Sequence, residues 1–319
     1  MRGSEGYGIN YADKNGYMNS DSLPLRDDYI LFMGSSHLEG LQVMQDQNMV
    51  TLLNNMIDTH ARTVYNMGTA GYDLPLIIEG FQAGIEEFPD SSAIVIELSQ
   101  MAYDSDEIQQ ALVQTHYDPA DSGDHLVQAL GTSRRLRNDT LSILPVISLL
   151  RQQFESIYFG FQGAFGIQAT VSDHANDVRI YDENESDDAF GDGPADDAVV
   201  NPQAFFEALD QAFALLRAEY HNPIILLYHP RVLLQTDGTA KISRDKQYYD
   251  DYLSACENND IYFLDVGDAF LRAYESDYSL PYGFNNTTMG SGHLNQTGHR
   301  IVAEELYKAL QQIQSKEKQ

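Results

Sequence analysis

The sequence predicts an α/β fold in which a sheet of five mostly parallel strands lies between two layers of helices. Three observations support this: five short, largely apolar runs, helical patterns between the runs, and turn residues after each run. Strands buried on both faces read as continuous apolar runs, and alternation of strand and helix is typical of doubly wound sheets. The five predicted strands are Tyr29–Met33, Thr63–Met67, Ala93–Leu98, Pro223–Tyr228 and Ile261–Val266.

Helical patterns follow the first two strands. Asn48–Ile57 places Val50, Leu53 and Ile57 on one face, and Leu74–Phe88 follows the second strand. Apolar residues at every third or fourth position are typical of a helix that packs one face on a sheet. Right-handed crossovers then bring the carboxyl ends of the strands, and any site built there, to one edge of the sheet.

Two segments fall outside this alternation. Residues 1–27 are rich in Gly, Tyr, Asn and Asp and show no period, which predicts an extended arm lying on the domain. We expect residues 28–319 to form a single α/β domain with a long helical insertion at approximately residues 105–200, between the third and fourth strands. The insertion contains the helical pattern Ile143–Phe159 and the acidic tract Asp182–Asp197, which we interpret as a solvated loop.

The charge of the chain excludes some partners. It has 48 acidic and 19 basic residues, a formal net charge of −29 at pH 7, and this field repels nucleic-acid phosphates and anionic lipid headgroups. No apolar run approaches the roughly 18 residues that a membrane span needs. The single cysteine, Cys256, excludes an intrachain disulfide and a cysteine-built metal site.

The native compartment and the oligomeric state stay open. The residues Met1-Arg2-Gly3-Ser4 resemble an expression-vector leader, which is consistent with removal of a native signal or anchor. The acid excess is typical of an extracellular or salt-tolerant protein, and equally of an ordinary charged surface. An extracytoplasmic or secreted location is therefore an expectation only.

A serine lies where the first predicted strand turns into a helix. The turn reads Gly34-Ser35-Ser36-His37-Leu38-Glu39-Gly40, directly after the strand. At such a turn the Ser36 hydroxyl lies at the top of the sheet, and the following N–H groups and the helix N-terminus favour an anion at the same place. The turn therefore predicts a nucleophile with half of an oxyanion hole.

Loops elsewhere supply the other groups that such a nucleophile needs. Gly71 follows the second strand, and a loop glycine can bring its N–H close to a substrate oxygen. His293 precedes the last predicted helix, for which Asn295 is the expected N-cap, and there it can take the proton from Ser36. His229 ends the fourth strand on the same edge, where it either supports the site or binds substrate, or is a hydrogen-bonded loop histidine with a structural role.

These motifs resemble the blocks of the SGNH/GDSL hydrolase family, which includes esterases, lipases and acetylesterases. The resemblance covers the sheet-forming segments, about half the chain. It implies a flavodoxin-like, three-layer α/β/α sandwich, and it implies that the protein is bacterial. It also implies Ser36 as nucleophile, His293 as base, and an oxyanion hole that includes the N–H groups of Ser36 and Gly71. The resemblance implies no cofactor and no metal.

Two positions depart from the family pattern. The family's third block carries an oxyanion-binding asparagine after the third strand, where this chain has Ser99 and Gln100, and Gln100 is the expected substitute. The family's aspartate, three residues before the histidine, is Gly290 here.

Because the aspartate is absent, there are two possibilities for the group that orients His293. Either Ser36 and His293 act as a dyad with a backbone carbonyl as the orienting group, or a carboxylate arrives from elsewhere. Asp265 and Asp268, after the fifth strand, are the candidate carboxylates.

The residues and the resemblance together predict serine-dependent hydrolysis of acyl esters, with short-chain acetyl esters on a carbohydrate as the expected substrate. An O-acyltransferase with the same chemistry is one alternative. A noncatalytic binding module that keeps the fold and has lost the triad is another. The chain lacks the His-Glu-x-x-His spacing of metalloproteases and the glycine-rich signatures of nucleotide sites, which disfavours both classes.

Overall fold

The computed structural model describes residues 5–20, 28–57, 62–115, 180–181, 202–244 and 246–317. At its centre is a five-stranded sheet whose strands are all parallel. The strands are β1 Tyr29–Met33, β2 Thr63–Asn66, β3 Ser91–Leu98, β5 Ile224–Tyr228 and β8 Tyr262–Asp265. Their spatial order, β2-β1-β3-β5-β8, is the order of a flavodoxin-like doubly wound sheet. The predicted sheet is confirmed, with ends that differ from the prediction by no more than two residues.

The helices lie on both faces of this sheet. They are α1 Ser36–Glu39, α2 Met49–Met56, α3 Leu74–Glu87, α4 Ser105–Thr115, α5 Pro202–Glu219, α6 Lys246–Asn258, α7 Gly267–Asp277 and α8 Gln296–Glu317, with a 3₁₀ turn at Gln45–Gln47. Successive residues of a strand point to opposite faces. Accordingly, Leu31 of β1 packs in the cluster that contains α3 to α6, whereas Ile30 and Phe32 pack in the cluster that contains α2, α7 and α8.

A second, small sheet was not predicted. It consists of β6 Val232–Gln235 and β7 Ala240–Ile242, which form an antiparallel hairpin, and β4 Ile180–Tyr181, which pairs parallel to β6. The helix pattern Ile143–Phe159, the acidic tract Asp182–Asp197 and most of the predicted insertion lie outside the described residues. The division of the chain into an arm, one domain and an insertion therefore stays a prediction.

Residues 5–20 form an irregular arm held by hydrogen bonds to the domain. The N–H of Tyr7 donates to the carbonyl of Gln42 at 3.0 Å. Further along, Asn19 bonds the edge strand β2 twice: it accepts from the N–H of Asn66 at 2.9 Å and donates to the carbonyl of Asn66 at 3.0 Å. These bonds attach the arm to the loop after α1 and to the carboxyl end of the edge strand β2.

Within the described part of the chain, no helix combines the length and the apolar character needed to cross a lipid bilayer. The same residues contain no group of three or more His, Cys, Asp or Glu side chains arranged to hold a metal ion.

Candidate active site

Ser36 begins helix α1, and Gly34 and Ser35 separate it from the end of the buried strand β1. Ser35 caps this helix, because its hydroxyl oxygen accepts the N–H of His37 at 3.2 Å. The capped turn holds Ser36 at the carboxyl end of the strand, where the Ser36 Oγ lies 2.8 Å from the Nε2 of His293. The structure therefore brings together the two residues that the sequence predicted as nucleophile and base.

The loop that carries His293 is fixed by Asn295. The side-chain oxygen of Asn295 accepts the N–H groups of Thr297 at 2.9 Å and Gly298 at 3.1 Å, which makes it the N-cap of α8 as predicted. Its side-chain nitrogen donates to the carbonyls of Leu280 at 2.8 Å and Gly283 at 3.0 Å. One buried amide thus ties the helix start to the loop in front of it, and His293 lies two residues before this anchor.

Glu5, on the N-terminal arm, supplies a carboxylate to His293. Its Oε2 lies 2.6 Å from the imidazole Nδ1, and its Oε1 accepts the backbone N–H of His293 at 2.7 Å. Gly292 makes this approach possible, since a Cβ there would lie only 1.9 Å from Glu5 Oε1. Ser36, His293 and Glu5 therefore form a hydrogen-bonded line with the order of groups found in a catalytic triad.

The charge on Glu5 sets the tautomer of the histidine. Burial alone would raise the pKa of Glu5, but the hydrogen bonds from the side chain and backbone of His293 outweigh it, and the pKa lies below its ordinary value. Glu5 is therefore a carboxylate at neutral pH, and it accepts a hydrogen bond from the N–H at Nδ1 of His293. In neutral imidazole the opposite nitrogen, Nε2, is then the acceptor that faces the Ser36 hydroxyl.

The two backbone N–H groups that were predicted to bind an oxyanion have no hydrogen-bond partner among the described residues. They belong to Ser36, at the start of α1, and to Gly71, in the loop after β2. Gly71 lies in a turn closed by a 3.0 Å hydrogen bond from the Tyr72 N–H to the Thr69 carbonyl, and the space beside its Cα is open. Neither N–H is thus occupied by another described residue, and their joint part in an oxyanion hole stays a prediction.

Gln100, the predicted third donor, has a different neighbour. Its side chain hydrogen-bonds the hydroxyl of Tyr103, and no contact joins it to Ser36 among the described residues. Its part in an oxyanion hole stays a prediction.

A second polar chain runs beneath the nucleophile. Glu97, buried on β3, accepts the N–H of Ser35 at 2.7 Å and its hydroxyl at 2.9 Å. The other carboxylate oxygen lies 2.5 Å from Nε2 of the buried His229, whose Nδ1 lies 2.7 Å from the hydroxyl of Tyr282. Gly34 leaves room for this arrangement, because a Cβ there would lie 2.4 Å from Glu97 Oε2. His229 therefore supports the serine turn through Glu97 and has no contact with Ser36 itself.

His37 lies between the two histidines of these chains. Its ring centroid is 4.9 Å from that of His293 and 5.0 Å from that of His229. Burial, and then the neighbouring imidazoles, lower the pKa of His37 well below its ordinary value. His37 is thus neutral, and its Nδ1 accepts the N–H of Leu294 at 3.2 Å, which links the serine turn directly to the histidine loop.

Asp265 and Asp268, the predicted orienting carboxylates, lie elsewhere. Both bind Arg244, at 2.6 Å and 3.0 Å respectively, and Asp265 also accepts the N–H of Gly267 at 2.7 Å. These bonds complete the turn between β8 and α7. Glu5 occupies the position that the two aspartates were predicted to fill.

Sequence reasoning missed Glu5 and Glu97. Glu97 was visible as the one charged residue within an apolar strand, a position where a carboxylate needs a buried partner. Glu5 had weaker signals: it stands in an irregular segment, and only the glycines that make room for it, such as Gly292, indicate a close approach.

Comparison with known proteins gives a loose structural likeness. No family model and no curated protein matches the chain. Among solved structures, it is similar to LAE5, an α/β hydrolase from the metagenome of Lake Arreo, Spain, with 12% identity, a TM-score of 0.44, and 88% of this chain and 94% of that chain covered. It is also similar to a member of the lipolytic G-D-S-L family from Veillonella parvula, with 10% identity, a TM-score of 0.39, and 88% of this chain and 97% of that chain covered.

The acetyl xylan esterase AlAXEase gives 10% identity, a TM-score of 0.44, and coverage of 88% of this chain and 98% of that one. These three structures are described as an α/β hydrolase, a lipolytic G-D-S-L family member and an acetyl xylan esterase. At these identities and TM-scores the likeness is too distant to assign an activity, which depends on the geometry of the site.

Proposed function

We propose that this protein is a serine esterase that hydrolyses acyl esters, with Ser36 as nucleophile, His293 as general base and Glu5 as the carboxylate that positions His293. The observation that supports this most directly is the continuous line of hydrogen bonds, 2.8 Å from Ser36 to His293 and 2.6 Å from His293 to Glu5. A serine hydroxyl is a weak nucleophile until an adjacent base accepts its proton.

In the proposed reaction, Ser36 Oγ attacks the ester carbonyl carbon while its proton passes to His293 Nε2. The carbonyl oxygen becomes an oxyanion, which the N–H groups of Ser36 and Gly71 stabilise. Collapse of this intermediate breaks the ester bond, and the leaving alcohol takes the proton from His293. Water then repeats the sequence on the acyl-serine and releases the acid, which restores the Ser36 hydroxyl.

We extend the proposal to short acyl groups, acetyl above all, carried on a carbohydrate, as the family resemblance implies. The described structure supports this in one respect, since a groove lined by uncharged residues, both polar and apolar, includes Gly6 and Tyr7 of the arm, next to Glu5 in the chain.

Replacing the nucleophile tests the proposal. We expect Ser36→Ala to lower kcat for 4-nitrophenyl acetate by at least about 10³-fold, because no hydroxyl then faces His293. Ser35→Ala is the matched control, because the Ser35 hydroxyl faces Glu97 and not His293. This variant loses the helix cap, which should lower the free energy of unfolding by about 1 kcal/mol, and kcat should fall far less than in Ser36→Ala. Activity of Ser36→Ala at the wild-type level would overturn the assignment.

The two alternatives give different products. A transferase passes the acyl group to an added sugar acceptor, which mass spectrometry of the sugar detects, whereas an esterase releases free acid. A binding module has no activated serine. Intact-mass measurement after treatment with an organophosphonate should give one adduct, absent from Ser36→Ala, if the serine is activated. The absence of an adduct on the wild-type chain would favour the binding module.

A further inference from the structure

A groove of about 1120 Å³ lies beside the arm, and Gly6 and Tyr7 are among the residues that line it. The lining consists of Gly6 and Tyr7 of the arm, of Met44 and Gln47, and of eleven residues between 278 and 297. Its volume slightly exceeds the roughly 300–1,000 Å³ of ordinary small-molecule sites. The groove adjoins the triad, since Gly6 follows Glu5 and the N–H of Gly283, which also lines the groove, donates to the His293 carbonyl at 3.0 Å.

The lining of this groove is uncharged. About a fifth of the chain is charged, 21%, and the net charge is −29, yet none of the fifteen described residues that line the groove is Asp, Glu, Lys, Arg or His. An ionic ligand would find no counter-charge there, and a neutral ligand is not repelled. The lining thus selects for a ligand without charge.

Two of the amides that line the groove have spare hydrogen-bonding capacity. The side chains of Asn285 and Gln296 are exposed and make no hydrogen bond within the described part of the chain. Each amide offers two donors and one acceptor oxygen, which suits a ligand rich in hydroxyl groups, because a hydroxyl both donates and accepts.

Two tyrosines present their rings at the same groove. Tyr7 is 57% exposed and Tyr278 is 75% exposed, which is unusual for rings of this size. The Tyr278 ring is held edge-on by Tyr274, at a centroid distance of 5.5 Å and an angle of 90°. A braced tyrosine gives a large, rigid, amphipathic contact at a low entropy cost.

We propose that this groove binds an uncharged saccharide chain. A pyranose has apolar C–H faces, which pack on an exposed tyrosine ring, and a rim of hydroxyls, which pair with amides; the lining offers both and adds no charge. The inference deepens the proposed function and rests on it for the link to ester substrates: a polymer held in the groove keeps its acylated units close to Ser36.

The experiment measures binding separately from catalysis. Calorimetric titration uses unacetylated xylohexaose as the neutral probe and hexagalacturonic acid as an anionic probe of equal length. We expect the neutral probe to bind and the anionic probe not to. Tyr278→Ala should weaken the binding of xylohexaose about tenfold, while Tyr278→Phe, which keeps the ring, should keep most of the affinity.

Tyr11→Ala is the matched control, because Tyr11 lies on the arm and is 69% exposed but does not line the groove. The affinity of the Tyr11→Ala variant for xylohexaose should equal that of the wild type. Failure of xylohexaose to bind, equal binding of the anionic probe, or equal affinity in wild type and a folded Tyr278→Ala would each overturn the proposal. Ser36→Ala should bind as the wild type does, so failure of the esterase proposal, seen as no hydrolysis of 4-nitrophenyl acetate, is distinguishable from failure of the groove.

Discussion

Ser36 stands on a turn that the core of the domain supports, whereas Glu5 stands on an irregular arm at the surface. The turn follows a fully buried strand and rests on Glu97, which is itself buried on the neighbouring strand. Apart from its contacts with His293, the part of the arm around Glu5 is held by hydrogen bonds from Gly6 and Tyr7 to Asn286 and Gln42, on partly exposed loops.

This difference separates two properties that are usually lost together. Damage to the support of the turn should lower the stability of the fold along with the activity, because buried polar groups lose their partners. Damage to the contact made by Glu5 should lower the activity while the fold stays intact, because the arm contributes only Tyr17 to the hydrophobic core clusters of the described residues. Measuring both quantities on the same variants tests this comparison.

The largest effect is expected from Glu5→Gln. The amide cannot fix the histidine tautomer as a carboxylate does, so kcat for 4-nitrophenyl acetate should fall by on the order of 10³- to 10⁴-fold. The free energy of unfolding in urea should change by less than about 1 kcal/mol. A fall in kcat of less than tenfold would mean that Ser36 and His293 act as a dyad without Glu5.

Glu97→Ala should act mainly on the fold. It leaves the Ser35 N–H and the buried His229 without their shared partner, which should cost about 3–5 kcal/mol in the free energy of unfolding. Glu86→Ala is the control, since Glu86 is exposed on the surface of α3 and its removal should cost less than about 0.5 kcal/mol. Equal stability of the two variants would contradict the role given to the buried chain.

Gly292→Ala should move Glu5 without altering it. The added methyl group would lie 1.9 Å from Glu5 Oε1, so the carboxylate must shift. We expect kcat to fall about tenfold, which corresponds to an activation free energy raised by about 1.4 kcal/mol. Gly290→Ala imposes the same backbone strain, with φ of +83° against +81°, but its methyl would lie 3.7 Å from Leu280 and not touch Glu5. Equal losses in the two variants would assign the effect to strain alone.

The smallest effect concerns pH. Burial would raise the pKa of Glu5, but hydrogen bonds from His293 lower it below the ordinary value of 4.5. A carboxyl whose pKa is lower in the folded chain stabilises the fold above the ordinary pKa, and this contribution disappears as pH falls through the folded pKa. The difference in unfolding free energy between wild type and Glu5→Gln should therefore be constant near pH 7 and shrink below pH 4.5; a difference that widens there would contradict the cited shift.

What the sequence predicted correctly depends on local patterns. The five strands are continuous apolar runs, Ser36 follows one of them directly, and His293 precedes a capped amphipathic helix, so each is recognisable within about a dozen residues. The hairpin of β6 and β7 was missed, although Asp237-Gly238 between two apolar runs is a typical hairpin turn.

Glu5 was not predictable in the same way. It pairs with a residue 288 positions away, and no period or turn in residues 1–27 indicates that contact. The choice of Asp265 and Asp268 rested on their position at the end of a strand, but Arg244, from the loop before α6, neutralises both. Only the folded chain shows which carboxylate remains for the histidine.

The wide spacing of the three residues in the chain has a consequence for biosynthesis. Ser36 and Glu5 leave the ribosome early, whereas their shared partner follows 257 and 288 residues later. A nascent chain that has folded its first three strands therefore contains Ser36 without its base, and the Glu5 carboxylate lacks the His293 side chain that it pairs with. Under the proposed function, Ser36 can gain its base only after His293 has been made and docked, so ester hydrolysis would report that this late segment has folded onto the sheet.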